Sequence, residues 1–255
     1  METVGREGFL EITKKAFSLS EDKAENGVIR DRLLSGGKVT GTNLCVMICA
    51  MVIASVGLNT GSTAVIIGTM LISPLMGSIL AIAYGCVSVD LSLVKKHATG
   101  FLFQILVSIA ASTIYFLLSP IKEPTAELMA RTQPTFFDVI VAMAGGLAGI
   151  IGQTREDKAN NIIPGVAIAT ALMPPLCTCG YSIANRNLQM LGGAVYLFAV
   201  NAYFIFLASS VILSAMRIPK VRELRQEEWI FLKKRMIRNT LIILLPGILY
   251  FLLHA

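Results

Sequence analysis

Residues 39–89 contain no Lys, Arg, Asp or Glu, a charge-free run of 51 residues. A transmembrane helix needs about 20 predominantly apolar residues, so this run predicts two spans. Only 15% of the chain is charged, whereas soluble domains average about 25%. Further charge-free runs, each predicted to hold most or all of one helix, cover residues 97–121, 139–154, 159–185, 187–216 and 239–255. The composition therefore predicts an integral membrane protein.

The charge-free runs predict an all-α polytopic membrane protein with about seven transmembrane helices. The predicted spans are 43–59, 64–84, 98–118, 137–153, 161–184, 192–216 and 239–253. The fourth and seventh are short, so whether they cross fully is left open. No cleavable signal peptide is visible, because the first 42 residues are polar and mixed in charge.

Outside the spans, the chain divides into a few segments. Residues 1–42 are predicted to form a cytoplasmic amphipathic arm, in which a short helix is capped by Ser20 and ends at Gly36–Gly37. The remaining divisions are a transmembrane repeat domain at 43–216, a basic amphipathic cytoplasmic segment at 217–238, and a C-terminal transmembrane helix at 239–255.

The positive charges separate by side. With seven spans, 19 of the 22 Lys and Arg fall on one side of the membrane, and only Lys122, Arg131 and Arg186 fall on the other. The positive-inside rule then predicts a cytoplasmic N-terminus and an external C-terminus. The basic surplus is thus explained by topology, and we expect no nucleic-acid partner.

An internal repeat relates the two halves of the chain. The segment 65–75, VIIGTMLISPL, aligns without gaps on VAIATALMPPL at 166–176, with six identities in eleven positions at an offset of 101. A three-span unit re-enters the membrane in the opposite orientation, so the halves 43–118 and 137–216 are predicted to form an inverted three-plus-three repeat, followed by one additional C-terminal helix. Secondary transporters with inverted repeats place Gly/Pro-interrupted segments at matching positions around the solute site.

The matched prolines and nearby polar residues are the candidate site. A proline within a span frees a main-chain carbonyl, which is costly unless a neighbour or a wet cavity satisfies it. The alternative is that these residues serve only helix packing and kinking. The candidate substrate-binding residues are Asn59, Ser62, Thr63, Thr69, Ser73, Pro74, Thr170, Pro174, Pro175 and Asn201.

Other polar residues suggest structural roles. Asp138 starts the fourth span and suits a helix cap, and Gln104 is a further polar side chain within a span. No carboxylate or Lys is predicted near the membrane midplane, which disfavours proton coupling and leaves Na⁺ held by oxygen ligands open. Five cysteines in or beside spans show no CxxC spacing, so no metal or other cofactor is expected.

Three stretches resemble a family of bacterial membrane proteins catalogued as domain of unknown function 389. They are NTGSTAVIIGTMLISPLMGSIL, ARTQPTFFDVIVAMAGGLAGIIG and PGVAIATALMPPLCTCGYSIA, and the resemblance covers roughly 43–215. It implies a polytopic inner-membrane protein without an established activity, so no functional residue is carried over. The motif positions are Asn59, Gly61, Gly68, Ser73, Pro74, Arg131, Pro134, Asp138, Pro164, Gly165, Pro174 and Pro175.

Two functional hypotheses follow. The first is a transporter or channel for a small solute or monovalent ion, with a site between the second and fifth helices. The second is a non-transporting membrane protein, an oligomeric scaffold or regulatory partner. No catalytic motif is present, so we expect no enzyme. The expected location is the bacterial inner membrane; a homo-oligomer is left open.

Overall fold

The computed structural model describes residues 22–72, 74–156, 172–223, 227–228, 230, 234–243 and 245. Within them the regular structure is helical, apart from an antiparallel bridge between Lys23 and Arg155. The helices are α1 (Asn26–Gly36), α2 (Gly41–Thr60), α3 (Thr63–Met70), α4 (Leu75–Val87), α5 (Leu91–Leu118), α6 (Ala126–Ala130), α7 (Phe136–Thr154), α8 (Met173–Ala184) and α9 (Leu188–Ala215). The expectation of an all-α protein is confirmed for this part of the chain.

Four helices are individually long and apolar enough to cross a membrane: α2, α5, α7 and α9. They correspond to the predicted first, third, fourth and sixth spans. The predicted second span is divided into α3 and α4, which meet at a bend of 41° and together form a fifth candidate crossing. Of the predicted fifth span the described part is α8, of 12 residues; residues 161–171 lie outside the described part. The count of seven spans is therefore not confirmed.

The terminal segments differ in part from the sequence prediction. Helix α1 ends at Gly36 with Gly37 as its C-cap, as predicted, but its N-cap is Glu25. Ser20 and the rest of residues 1–21 lie outside the described residues. Residues 234–243 are helical, and of these 239–243 belong to the predicted last span. They lie against α9, where the Tyr196 hydroxyl donates to the Ile243 carbonyl over 2.7 Å.

Polar residues set the helix boundaries. Thr40 caps α2 by accepting from the Asn43 amide. After Thr60, the C-cap residue Gly61 adopts the left-handed conformation, with φ of 67°. At α7, Thr135 and Asp138 form a reciprocal capping box. The prediction that Asp138 is a cap is thus confirmed. Such caps satisfy amides that have no partner within the helix.

The connection between α4 and α5 is built like that between α8 and α9. Val89 and Arg186, 97 residues apart, have positive φ values of 58° and 55°. The next residues, Asp90 and Asn187, cap α5 and α9 through their side-chain oxygens. Both capped helices are 28 residues long. Hydrogen bonding from the Ser92 hydroxyl, with nearby amides, lowers the pKa of Asp90.

The bundle is apolar outside and partly polar inside. On α5, Leu106 is 58% exposed whereas Ser108 is 0% exposed. Exposed apolar side chains around buried polar ones are unfavourable in water but favourable in lipid. In hydrocarbon the apolar side chains are stable on the outside, and the buried hydroxyls can form hydrogen bonds with neighbouring helices. The exposed apolar surfaces of the candidate spans mark a membrane-embedded protein.

Two sets of contacts define the ends of the bundle. At one, called the α1 end, the Arg32 guanidinium donates to the Arg155 carbonyl after α7, and the Lys23 ammonium donates to the Met216 carbonyl over 3.0 Å. Both cations lie at helix C-termini, where the helix dipole favours positive charge. Arg155 also pairs with Asp22.

The opposite end of the bundle is called the α6 end. The Thr125 hydroxyl donates to the Leu58 carbonyl over 2.6 Å, and the Thr63 hydroxyl donates to Glu127 over 2.7 Å. The Tyr181 hydroxyl donates to the Lys122 carbonyl over 2.5 Å. The end of α2, the start of α3 and the end of α8 therefore meet at this end.

Candidate functional site

A stripe of polar side chains follows the buried face of α5. It comprises His97, Gln104, Ser108 and Ser112 along the helix and Ser119 just beyond it, none more than 7% exposed. Successive members are spaced by four or seven residues, which places them on one helical face. We call these five residues the α5 polar stripe. It runs from the α1 end to the α6 end through the interior of the bundle.

Between Ser108 and the α1 end, the stripe contacts α4. The Ser78 hydroxyl donates to Gln104 Oε1 over 2.7 Å, and both side chains are buried. At the α1 end itself, His97 Nδ1 lies 3.0 Å from the Gly37 carbonyl oxygen. The contact with Gly37 places His97 where the segment before α2 meets the bundle.

The stripe contacts α2 and α8 on the other side of Ser108. The Ser112 hydroxyl donates to the Cys177 carbonyl over 3.0 Å, and the Ser55 and Ser112 oxygens are 3.0 Å apart. Since the Ser112 proton is used on Cys177, Ser55 donates to Ser112. The Cys177 thiol donates weakly to the Met51 carbonyl over 3.8 Å. These bonds link three helices near the centre of the bundle.

Asn59 of α2 contacts the last residue of the stripe, Ser119, near the α6 end. Its amide nitrogen donates to Ser119 Oγ over 2.5 Å and to the Tyr115 hydroxyl over 3.4 Å. Its carbonyl oxygen is buried without a hydrogen-bond partner among the described residues. Buried polar atoms are normally hydrogen-bonded, so such an atom calls for a bound water or ligand.

Ser108 is a second buried group of this kind. Its hydroxyl oxygen has no hydrogen-bond partner in the part of the chain that the structure describes, and the residue is 0% exposed. It lies one helical turn from Gln104 and one turn from Ser112. It therefore lies between the contact with α4 and the contact with α8.

Helices α4 and α8 both begin at the depth of Ser108. Helix α4 runs antiparallel to α5, so the three residues from Ser78 back to Leu75 lead from Gln104 towards Ser108. Two contacts show that helix α8 runs parallel to α5. Ser112 contacts Cys177, and one turn further along both helices the rings of Phe116 and Tyr181 pack edge to face with centroids 5.1 Å apart. Met173 lies four residues before Cys177, and Ser108 lies four residues before Ser112. Since both helices rise about 1.5 Å per residue, the start of α8 is at the depth of Ser108.

The two helix starts share one buried apolar cluster. Leu75 at the start of α4 and Leu172 and Met173 at the start of α8 belong to it, each no more than 4% exposed. Both helices pack on α5 and on α9. The bundle thus holds two half-length helices whose N-terminal ends converge at mid-depth between α5 and α9.

The predicted prolines lie at these helix starts. Pro74 is the N-cap of α4, and Pro174 and Pro175 are in the first turn of α8. The predicted interruption at Pro74 is therefore observed. Proline suits a helix start because its missing amide hydrogen would have no partner there. Ser73 and Thr170 lie outside the described residues.

The other predicted site residues are spread between mid-depth and the α6 end. Thr69 is buried and donates to the Ile66 carbonyl of its own helix over 2.7 Å. Ser62 is the N-cap of α3 without a side-chain cap bond, and Thr63 bonds Glu127. Asn201 is buried in α9 and is the counterpart of Gln104 at an offset of 97 residues. Thus Asn59, Ser62 and Thr63 lie apart from the helix starts, close to the α6 end.

Ser108 and Ser112 were not among the predicted site residues. The signal was the spacing of Gln104, Ser108 and Ser112 at four-residue intervals within an apolar run, because such spacing places polar side chains on one buried helical face. The offset of 101 also needed revision. The offset of 101 aligns Pro74 with Pro175, but the hairpins at Val89 and Arg186 are only 97 residues apart. The second repeat is therefore shorter than the first by four residues, about one helical turn, between the proline and the hairpin.

The bond between Ser78 and Gln104 is open to direct measurement. We expect a double-mutant cycle of Ser78→Ala and Gln104→Leu to give a coupling free energy of about 0.6 kcal/mol, and no more than about 1.7 kcal/mol, as found for other interhelical hydrogen bonds in membranes. Unfolding in increasing SDS measures it. Ser209→Ala paired with Gln104→Leu is the control, because Ser209 bonds the Ile205 carbonyl of its own helix. A coupling equal to the control would contradict this contact.

The fold and the buried polar stripe define a class: α-helical membrane proteins with a span interrupted inside the bundle. The chain belongs to the family described as Domain of unknown function (DUF389), whose profile matches residues 70–207. The resemblance to this family is thereby confirmed.

A similar protein is known from an archaeon. An uncharacterized protein of Methanocaldococcus jannaschii is 28% identical over 186 residues, which cover 73% of this chain and 58% of that protein. The chain thus matches little more than half the length of this relative. Because the relative is archaeal, the expected bacterial origin is not confirmed. No solved structure matches the chain.

Proposed function

We propose that this protein is a membrane transporter or channel for a small solute or ion, and that the solute binds where α4 and α8 begin. The observation that carries the proposal is the convergence of these two helix starts at mid-depth beside Ser108. Interrupted helices at the centre of a bundle are a common way to place main-chain groups around a solute in membrane transporters.

The equivalence of the two hairpins supports an inverted three-plus-three repeat. The connections at Val89 and Arg186 have the same conformation 97 residues apart. The first lies at the α1 end, where Val221 donates to the Ser88 carbonyl over 2.8 Å. The second lies near the α6 end, because Tyr181 there bonds Lys122. Equivalent hairpins at opposite ends are what an inverted repeat requires. The ring centroids of Phe101 and Phe198, also 97 residues apart, lie 6.1 Å apart.

The charges at the two ends support a cytoplasmic α1 end. Segments at this end precede α2, join α4 to α5, and follow α7 and α9, and these carry most Lys and Arg of the chain. The positive-inside rule favours the cytoplasm for such segments. On this proposal the N-terminus is cytoplasmic and the membrane is the cell's inner or cytoplasmic membrane. An external C-terminus further requires that residues 239–253 cross.

A non-transporting scaffold is the second candidate, and close helix packing favours it. A Cβ atom at Gly180 of α8 would lie 2.5 Å from Ser112 Oγ, so glycine is what lets α8 and α5 approach at this point. Small residues serve this packing role in membranes. On this alternative the polar stripe only joins helices. The stripe combines hydroxyls, one amide and the His97 imidazole, and we also propose no catalytic activity.

Reconstitution into sealed vesicles separates the candidates. Uptake is measured for labelled Na⁺, chloride, amino acids, nucleosides and organic acids, with protein-free vesicles as background. We expect uptake of at least one solute class, and at least about a tenfold loss in Gln104→Leu, which removes a polar group of the stripe. Leu106→Ala, on the exposed face of the same helix, is the matched control and is expected to retain uptake. Folded protein without uptake of any of these solutes would favour the scaffold.

A further inference from the structure

The short span α7 marks the middle of the membrane. It has 19 residues, so its length of about 28 Å is close to the thickness of the hydrocarbon core. A Cβ atom at Gly146, near the centre of α7, would lie 2.9 Å from the Cα of Ile205 in α9. Ile205 therefore lies near the membrane midplane.

The helix at residues 234–243 lies against α9 at this depth. The Tyr203 hydroxyl donates to the Met236 carbonyl over 3.1 Å, and Tyr203 is only two residues from Ile205. A tyrosine side chain is much shorter than half of the hydrocarbon core, which is about 30 Å thick. Met236 therefore lies well inside the membrane, whichever way the ring of Tyr203 points.

Three cations lie beside Met236. Lys234, Arg235 and Arg238 are each within two residues of it, about 3 Å along the helix axis, and all three are exposed. No Asp or Glu follows Glu228 in the sequence, and no carboxylate of the described residues forms a salt bridge with any of the three. This placement differs from the sequence prediction, which put no Lys near the midplane.

Neither lipid nor a second copy of the chain is a favourable surrounding for these cations. Charged side chains within a membrane face the bundle interior or a water-filled cavity, and long cationic side chains reach the interface only from near a helix end. The candidate spans contain no Asp or Glu apart from Asp138 in the first turn of α7. A second copy packed here would therefore offer no carboxylate at mid-depth, whereas water hydrates all three charges.

The exposed residues on either side of the cations show from which end water enters. Tyr196 bonds Ile243, so the helix at 234–243 runs antiparallel to α9, towards the α6 end. In that direction the exposed residues are apolar, as lipid requires: Leu241, Ile242 and Leu245. In the other direction the chain leads back to the α1 end, where Val221 bonds Ser88. Water therefore reaches the cations from the α1 end.

We infer that Lys234, Arg235 and Arg238 line the inner end of a water-filled groove, which opens at the α1 end, follows α9 to mid-depth and attracts small anions. A cleft that carries one sign of charge between walls of low dielectric concentrates ions of the opposite sign. The predicted basic segment 217–238 then stays in contact with water on the α1 side. This inference goes beyond the proposed function, because it depends neither on the starts of α4 and α8 nor on transport.

Modification of an introduced cysteine tests both the water and the sign of the charge. Ile237→Cys places a thiol at an exposed position beside Arg238. The purified chain in nanodiscs of neutral lipid, open to reagent on both faces, is treated with a negatively or a positively charged methanethiosulfonate. Each rate is read by mass spectrometry of the peptide and divided by the rate of that reagent with a free thiol in solution. Native Cys49, exposed near the centre of α2, is the internal reference for a thiol that faces lipid.

We expect Ile237→Cys to react at least about tenfold faster than Cys49 in the same molecule, because the reactive thiolate forms in water. We expect the negative reagent to be favoured by about threefold or more, and Arg238→Gln in the same background to reduce that preference. Leu241→Cys, one turn further and similarly exposed, should react as slowly as Cys49.

Three results would overturn the inference. Reaction of Ile237→Cys no faster than that of Cys49 would show lipid or dry packing where the groove is placed. Equal reaction at Leu241→Cys would show that the groove does not end at the cations. No preference for the negative reagent, or a preference that Arg238→Gln leaves unchanged, would contradict the attraction of anions by these side chains.

Discussion

Gly77→Ala is expected to destabilise the protein by about 1–3 kcal/mol, the usual cost of an atom inserted into a close-packed contact. A Cβ atom at Gly77 of α4 would overlap the main-chain carbonyl of Gly36 at the end of α1. Main chain cannot move aside as a flexible side chain can. Either α1 leaves α4 or both helices shift. Unfolding in SDS measures the loss, and hydrogen exchange over residues 26–36 reports whether α1 detaches.

Gly36→Ala is the matched control in the same contact. A Cβ atom there would meet only the Gly77 Cα, at 3.8 Å, an ordinary van der Waals distance. We expect unchanged or slightly higher stability, since alanine favours the helix over glycine. Equal destabilisation by the two substitutions would contradict the contact described, in which the Gly36 carbonyl faces the Cβ position of Gly77.

Gly193→Ala is expected to destabilise the α6 end by a similar amount, about 1–3 kcal/mol. A Cβ atom at Gly193 of α9 would overlap the main-chain carbonyl of Thr132, in the connection between α6 and α7. The substitution therefore forces that connection away from α9. Denaturant unfolding gives the size of the effect.

The neighbouring glycine gives the opposite expectation. A Cβ atom at Gly192 would have no heavy atom within 4 Å, apart from its two neighbours in the chain and the main chain of its own helix. Gly192→Ala in the same helix turn should then raise stability by up to about 1 kcal/mol through helix propensity. A loss of stability in both variants would show that α9 is rotated from the orientation described.

The candidate membrane helices were predictable because hydrocarbon imposes length and composition. Charge-free runs located α2, α5, α7 and α9, and Pro74 located the interruption between α3 and α4. The length of α5 was underestimated at its start. The predicted span began at residue 98, after Lys95 and Lys96, but the helix itself begins at Leu91, because Asp90 caps it outside the apolar segment.

The candidate site was only partly predictable. A proline pair indicates where helices are interrupted, but which surfaces then face each other depends on packing between helices far apart in the chain. The bond from Ser112 to Cys177 joins residues 65 positions apart, and no local pattern identifies such a partner. For the same reason Asn59 was predicted at the solute site, although its contacts with Ser119 and Tyr115 place it towards the α6 end.

The central claim is that Ser108 lies in a site that a solute reaches, rather than in dry helix packing. Reaction of Ser108→Cys with a membrane-impermeant, negatively charged methanethiosulfonate in vesicles, read by mass spectrometry of the α5 peptide, tests this most directly. We predict modification at least about tenfold faster than for Ser209→Cys. Reaction no faster than at the buried Ser209 position would contradict the claim and leave the polar stripe as a packing feature.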